Sequence, residues 1–260
     1  MKILYGKKFL ITGINNKFSI ALGIANIMYL NGAELGFTYQ NIKLKKKVKC
    51  LTRHLEPKFY LCCNVSNSNS IKNLFLKISN FWNSFNGIIH CVAYVNKSQL
   101  SGDYLDVVTK LDFQQANDIT SYSFVEMAQF SKNMLEIGSV LLTISYLGSI
   151  RVIPFYNTMG VAKASLEANV RYIAASLGKK KIRVNAISSG PIKTTSSYSI
   201  KNFNKILETY KHNSPIPELV TTKDIGNVAS FLCSDFSNGI TGQVIYVDNG
   251  FNIVSFYENR

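Results

Sequence analysis

A tyrosine and a lysine seven residues apart are the side chains best suited to chemistry in this sequence. Tyr156 and Lys163 lie in a run with helix-forming residues, and seven residues is close to two helical turns, so both side chains should leave one face about 10 Å apart along the axis. A phenol can donate a hydrogen bond or proton to an oxygen that gains negative charge, and an ammonium can hold a sugar hydroxyl. The pair favours a reductase, although an ordinary surface helix could also carry an exposed Tyr and Lys.

The elements that must position this pair alternate between strand and helix along the chain. Strand-like apolar runs cover residues 9–12, 34–39, 59–65, 87–92, 139–145, 183–188 and 243–247, and helical spacing covers 20–30, 70–82, 113–134 and 156–177. This alternation predicts βαβ units and an α/β fold, with one Rossmann-like, doubly wound parallel sheet of about seven strands flanked by helices. The absence of a linker or repeat indicates a single domain over residues 1–260. Residues 193–222 are predicted to form a small helical flap within it.

The turn after the first strand has the parts of a phosphate-binding loop. Gly13 permits a tight turn, Ser19 can cap the following helix and offer a hydroxyl to a phosphate, and Gly23 allows close packing of helix on strand. The helix N-terminus supplies unpaired N–H groups and the positive end of the dipole. The loop lacks the usual G-x-G-x-x-G pattern, and a glycine after a strand is common in any α/β protein.

The residue after the second strand bears on the choice of cofactor. An acidic residue there would bind the adenine-ribose diol, and an arginine would accept a 2′-phosphate. Gln40 is neutral and can hydrogen-bond a hydroxyl, which favours NADH over NADPH. Lys43 and Lys45, close by, are the argument for NADPH.

Composition and charge limit the other classes of function. The net charge of +14 goes with many Lys, Asn and Ile residues, as expected of an AT-rich genome; an acidic partner or nucleic acid is the functional alternative. No RNA-binding motif is present, so nucleic acid is not expected. The five cysteines and three histidines show no metal-ligand spacing, and no metal is predicted. No run reaches the roughly 18 apolar residues that span a membrane, so a cytoplasmic protein is expected.

Motifs along nearly the whole chain resemble those of the FabI-type enoyl-acyl-carrier-protein reductases, a divergent branch of the short-chain dehydrogenases. The runs that carry the resemblance are residues 12–13 with 19–21, 37–41, 119–124, 142–148, 163–172, 183–188 with 190–192, and 231–235. Most short-chain dehydrogenases place Tyr and Lys four apart, but here the residue four after Tyr156 is Gly160. The seven-residue spacing is the enoyl reductase form. Tyr146 fills the place where carbonyl reductases carry a catalytic serine.

The resemblance implies that NADH reduces the trans-2 double bond of an enoyl thioester on acyl carrier protein. Tyr156 would hydrogen-bond the thioester oxygen, Lys163 would bind the nicotinamide-ribose hydroxyls, and Tyr146 would donate into the site. The implied cofactor-binding residues are Gly13, Ser19, Ile20, Gln40, Asn64, Val65, Val92, Lys163, Ile192, Lys193, Thr194, Thr195 and Ser196. The implied substrate-binding residues are Val95, Tyr146 and Tyr156.

Three residues depart from the family pattern. Asn64 stands where the family has an Asp that accepts from the adenine amino group, so we expect somewhat weaker cofactor binding. Ala93 stands where Gly is common, which should narrow the pocket floor slightly. Asn249 interrupts an Asp-Gly-Gly run, and because Asn tolerates positive φ, the turn is expected to survive.

Partners follow partly from the resemblance. Lys201 and Lys205, four apart on the predicted flap helix, could contact the acidic acyl carrier protein, although ordinary surface lysines would look the same. The family implies a homotetramer that packs the 113–134 and 156–177 helices across a twofold axis. Two alternatives stay open: another short-chain reductase acting on carbonyls or dienoyl substrates, or an inactive dinucleotide-binding scaffold.

Overall fold

Seven parallel strands form one sheet in the computed structural model, which describes residues 2–194 and 197–255. The strands are β1 (Lys8–Thr12), β2 (Glu34–Tyr39), β3 (Tyr60–Cys62), β4 (Phe85–His90), β5 (Leu135–Tyr146), β6 (Arg183–Ser189) and β7 (Val244–Val247). Their order across the sheet is β3-β2-β1-β4-β5-β6-β7, and every pairing is parallel. The predicted α/β fold with a doubly wound parallel sheet is confirmed.

Helices cover both faces of the sheet. They are α1 (Ile20–Leu30), α2 (Ile42–Thr52), α3 (Ser68–Ile78), α4 (Tyr104–Val107), α5 (Lys110–Asn117), α6 (Ser123–Ser131), α7 (Asn157–Leu177), α8 (Phe203–Asn213) and α9 (Thr222–Cys233). One core cluster packs α1 and α9 side chains such as Met28 and Leu232 against the sheet, and the other packs α3, α6 and α7 side chains such as Ile71, Phe124 and Val170. Double coverage explains why all seven residues of β6 are buried.

The register of the central strands aligns their carboxyl ends. Thr12 of β1 pairs with His90 of β4, which in turn pairs with Thr143 of β5. Strand order reverses between β1 and β4, since the chain first builds β2 and β3 on one side and then crosses to the other. The carboxyl side of such a switch point leaves a crevice where ligands bind in α/β sheets.

The structure corrects several predicted boundaries. The predicted 113–134 helix is two α-helices, α5 and α6, joined by a π-helical turn over Asp118–Tyr122, and α7 begins at Asn157, so that Tyr156 is its N-cap and not a helical residue. The third strand is shorter than predicted. Of the described part of the 193–222 segment, residues 203–213 form α8 and only Thr222 belongs to another α-helix, α9; Lys201 lies in the turn before α8. Lys201 and Lys205 therefore do not share a helical face.

The turn at Asn249 keeps the backbone conformation that the sequence predicted. Asn249 has φ +57° and Gly250 has φ +81°, so asparagine occupies a left-handed position that most residues avoid. The Asn249 side chain also donates to the carbonyl oxygen of Glu218 at 2.8 Å, which ties the turn to the end of the flap segment. Across the described part of the chain, no helix is both long and apolar enough to cross a bilayer.

Candidate active site

A cleft of about 660 Å³ opens at the carboxyl edge of the sheet, over the switch point between β1 and β4. Its walls come from the ends of β1, β4, β5 and β6, the start of α1 and α7, and the segment before α8. Ten of the residues predicted for the site line it: Gly13, Ser19, Ile20, Val92, Val95, Tyr146, Tyr156, Lys163, Ile192 and Thr194. Its volume falls in the range of small-molecule sites.

The remaining predicted site residues lie elsewhere. Gln40 is exposed at the end of β2, and Asn64 and Val65 follow the paired neighbouring strand β3, so these three group at the carboxyl ends of two adjacent strands, outside the lining of the cleft. Lys193 is exposed and also outside the lining. Thr195 and Ser196 lie outside the described residues.

The loop between β1 and α1 is built around backbone groups. Gly13 has φ +91°, and a Cβ atom there would lie 2.1 Å from the carbonyl oxygen of Cys91. The Ser19 hydroxyl accepts from the backbone N–H groups of Asn15 and Asn16 at 3.1 and 3.0 Å, and makes no capping bond to α1. Ser19 therefore fixes the loop, and the first N–H groups of α1 stay available to an anion because a helix cannot pair them internally.

Substitution of Gly13 tests this close approach. We expect Gly13→Ala to lower the free energy of unfolding by about 3 kcal/mol, since positive φ costs an L-residue about 1–2 kcal/mol and the contact with Cys91 adds an overpacking cost. Gly6→Ala is the matched control, because Gly6 has φ +76° but no atom within 4 Å of an added Cβ. Chemical denaturation measures both, and equal losses would contradict the role of the Cys91 contact.

Two tyrosines converge at the middle of the cleft. Tyr146 ends β5 and Tyr156 precedes α7, and their rings lie 4.9 Å apart at 70°. Tyr156 sits between two residues with positive φ, Phe155 at +64° and Asn157 at +41°, and only 9% of it is exposed. Burial raises the pKa of Tyr146 to about 12 and the pKa of Tyr156 further. Both phenols are therefore protonated at neutral pH and can act as hydrogen-bond donors.

Lys163 presents a buried ammonium to the same cleft. Its Nζ donates to the carbonyl oxygen of Ile144 on β5 at 2.7 Å, and 6% of the residue is exposed. Burial lowers the pKa of Lys163 to about 8, while the nearby Cys91 and Glu167 act in the opposite direction. At pH 7 the side chain is still mostly charged, so it adds positive potential beside the two phenols.

Glu167 is a buried acidic residue that the sequence analysis missed. Its carboxylate accepts from the hydroxyls of Ser145 and Ser149, the latter at 2.6 Å, and so links α7 to the end of β5. Only 5% of Glu167 is exposed. The signal was present, because Glu167 lies four residues after Lys163, a spacing that brings side chains together on one helical face.

The arrangement suits stabilisation of an oxygen that gains negative charge. Two neutral phenols and an ammonium face one cleft, which is the donor set of an oxyanion site. The nearby thiol and imidazole are unsuited to nucleophilic or acid–base roles, because burial raises the pKa of Cys91 to about 12 and lowers the pKa of His90 to about 3. Both nitrogens of His90 already contact hydroxyls, those of Thr143 and Ser123. The geometry thus favours a reductase site.

Comparisons with known proteins agree with this geometry. The family model for enoyl-(acyl carrier protein) reductase matches residues 13–252. The chain is 54% identical to the enoyl-acyl-carrier-protein reductase (NADH) FabI of Buchnera aphidicola subsp. Baizongia pistaciae over 98% of both chains, and 49% identical to that of Escherichia coli K12 over 99% of this chain and 98% of the relative.

Solved structures give the same result. The enoyl-acyl-carrier-protein reductase (NADH) of Aquifex aeolicus superposes with a TM-score of 0.95 at 38% identity, covering 98% of this chain and 100% of the other. The reductase of Anaplasma phagocytophilum in complex with NAD superposes with a TM-score of 0.95 at 39% identity, covering 98% and 97%. The chain therefore belongs to the enoyl-(acyl carrier protein) reductase family.

Proposed function

We propose that this protein uses NADH to reduce the trans-2 double bond of enoyl thioesters on acyl carrier protein, the final step of the type II fatty acid elongation cycle. One observation carries the proposal: Tyr146, Tyr156 and Lys163 share a cleft at the switch point of the sheet in a chain 54% identical to a relative named as an NADH-dependent enoyl reductase. Their charge states suit reduction of a conjugated thioester.

The residues present fit a dinucleotide. Gly13 has no Cβ, and the Ser19 hydroxyl fixes the loop before α1, so the backbone there can surround a pyrophosphate. Val92 and Ile192 supply apolar walls, and the Lys163 ammonium can bind ribose hydroxyls. When bound, reduced nicotinamide supplies the hydride. At the far end, Gln40, Asn64 and Val65 would contact the adenosine, and the absence of an arginine beside Gln40 favours NADH.

Each cleft side chain has a distinct task toward the substrate. The thioester oxygen gains negative charge as the double bond is reduced, and Tyr156 donates a hydrogen bond to it. Burial raises the pKa of Tyr156, so the phenol keeps the proton that it donates in this hydrogen bond. Tyr146 adds a second phenol whose ring packs edge-on against that of Tyr156, and Val95 lies against the acyl chain. Lys163 holds the cofactor and keeps the local potential positive.

Turnover with defined substrates tests the proposal. We expect NADH consumption with an enoyl thioester and none with the matching saturated or 3-oxoacyl thioester. Consumption with the 3-oxoacyl substrate alone would support a carbonyl reductase. Tight binding of NADH without turnover of any of the three would support a dinucleotide-binding scaffold.

The cofactor contact at Asn64 gives a further prediction. The Asn64 side-chain oxygen accepts from the N–H and hydroxyl of Ser66 at 3.3 and 3.0 Å, so it is already engaged and carries no charge to offer the adenine amino group. We expect Asn64→Asp to lower the Kd for NADH about fivefold, since a charged acceptor strengthens a hydrogen bond by about 1 kcal/mol. Calorimetry measures the change. Asn67→Asp is the control, because Asn67 caps α3 outside the cleft lining, and an equal gain in affinity there would indicate a nonspecific charge effect.

The mouth of the cleft supports an encounter with an acidic carrier. Lys201 and Lys205 are both exposed beside the segment that lines the cleft, and the Lys201 ammonium lies 5.4 Å from the Phe155 ring, next to Tyr156. The net charge of +14 would speed association with a negatively charged partner. We therefore propose that these two lysines contact acyl carrier protein.

Charge reversal at these lysines tests the contact. We expect the double variant Lys201→Glu, Lys205→Glu to lower kcat/KM for a carrier-bound substrate about 10-fold or more at low salt, while activity on the coenzyme A thioester changes little. The control is Lys72→Glu with Lys77→Glu, which makes the same charge change on exposed positions of α3. Equal losses on both substrates would contradict carrier contact.

We also propose a homotetramer in the cytoplasm. The helices expected at the twofold interface carry exposed large apolar side chains, among them Leu111 and Tyr122 near α5 and α6 and Tyr172 on α7, as an interface would require. All five cysteines are free thiols, which suits a reducing compartment. Sedimentation equilibrium tests the assembly, and a monomer at micromolar concentration would contradict it.

A further inference from the structure

A third tyrosine approaches the catalytic pair from the flap segment. Tyr210 lies on α8 and is 3% exposed. Its ring stacks on Phe251 with centroids 3.7 Å apart, and lies 6.4 Å from the ring of Tyr146 at an interplanar angle of 23°. Because Tyr146 in turn contacts Tyr156, the three tyrosines form a continuous row from α8 to the centre of the cleft.

The hydroxyl of Tyr210 is buried and unpaired. No hydrogen-bond partner lies within bonding geometry of it among residues 2–194 and 197–255. A buried hydroxyl without a partner destabilises the fold, and a phenylalanine would keep the stacking on Phe251 without that cost. An unpaired buried hydroxyl in a native structure needs a reason other than stability.

Burial and the neighbouring groups keep the proton on this hydroxyl, so that it can donate a hydrogen bond to Tyr146. Burial raises the pKa of Tyr210 well above its usual range, and Tyr146, Asp248 and Tyr156 raise it further, so its proton stays in place. Burial likewise raises the pKa of Tyr146 to about 12, but the adjacent Tyr210 hydroxyl acts in the opposite direction, as a donor to the Tyr146 oxygen does.

We propose that Tyr210 is a positioning residue for the reductase reaction, whose hydroxyl donates to Tyr146 and so aims the Tyr146 proton into the cleft. The inference rests on the proposed function. Tyr210 does not line the cleft and acts through Tyr146, because a phenol that accepts one hydrogen bond becomes a stronger donor of its own. The link couples the position of α8 to the donor strength of the site.

Removal of the single hydroxyl tests the inference. We expect Tyr210→Phe to lower kcat about fivefold, the effect of one neutral hydrogen bond, with KM for NADH unchanged and the thermal midpoint unchanged or raised. The matched control is Tyr198→Phe, which removes an exposed hydroxyl from the same flap segment and should leave kcat and the midpoint unchanged. A lower midpoint in proportion to the lost activity would mean that Tyr210 is merely structural.

A double-mutant cycle identifies the route. If Tyr210 acts through Tyr146, then adding Tyr210→Phe to a Tyr146→Phe enzyme causes no further loss of kcat. Losses that multiply, or a Tyr146→Phe enzyme as active as the wild type, would overturn the inference. If the wild type itself reduces no enoyl thioester, the proposed function fails and the inference with it, whereas an active wild type with an equally active Tyr210→Phe variant overturns the inference alone.

Discussion

Replacement of Tyr156 by phenylalanine should lower kcat for enoyl thioester reduction about 10²-fold, which is the effect of removing one donor from an oxyanion site. The ring fills the same space, so its packing against Tyr146 at 4.9 Å should persist. Only the hydroxyl is lost, and with it the hydrogen bond to the thioester oxygen as charge develops. Consumption of NADH with an enoyl thioester measures the change.

The pattern of kinetic constants separates this role from simple substrate binding. An interaction made only in the transition state lowers kcat and kcat/KM by the same factor, whereas lost ground-state binding raises KM and leaves kcat unchanged. The affinity for NADH should not change, since Lys163 is intact. Tyr246→Phe is the control, because Tyr246 lies on β7 outside the cleft lining. A Tyr156→Phe enzyme with normal kcat and raised KM would contradict the proposed donor.

Much of the fold was predictable because local signals and tertiary packing agree. The predicted helix over 20–30 and the strand over 34–39 match α1 and β2 residue for residue, since Ser19, Asn31 and Gly32 mark the boundaries between them. The π-helical turn at Asp118–Tyr122 has no comparable signal. A helix that takes in an extra residue per turn does so for packing reasons that its own sequence does not display.

The site was predictable where chemistry and spacing coincide, and less so where contacts are distant in sequence. The Tyr156–Lys163 spacing indicated a reductase, yet the prediction that both residues lie within one helix was wrong. Positive φ at Phe155 and Asn157 places Tyr156 just outside α7. Asparagine tolerates that conformation, but a bulky residue such as Phe155 does not predict it. The role of Tyr210 is harder to predict, because its position beside Tyr146 depends on stacking against Phe251, which is distant from both tyrosines in sequence.

The pH dependence of cofactor use should report Lys163. Burial lowers the pKa of Lys163 to about 8, from about 10.4 for a free side chain. Binding of ribose hydroxyls uses the protonated form, so kcat/KM for NADH should be constant at low pH and fall as pH rises through about 8, by about tenfold per unit beyond it. A steady-state profile of kcat/KM between pH 6 and pH 10, at about half-unit steps, would show this declining limb above pH 8.

Lys163→Met should lower the activity and abolish its decline above pH 8. Methionine keeps most of the chain length but has no ammonium, so we expect kcat/KM for NADH to fall about 10²-fold at pH 7, as for loss of charged hydrogen bonds. The residual activity should not change through pH 8. Cys91, Tyr146 and His90 cannot cause a decline of kcat/KM near pH 8, because burial raises the pKa values of Cys91 and Tyr146 to about 12 and lowers the pKa of His90 to about 3. A limb near pH 8 that persists in Lys163→Met would therefore have to come from the substrate or cofactor, and the assignment of the limb to Lys163 would be wrong.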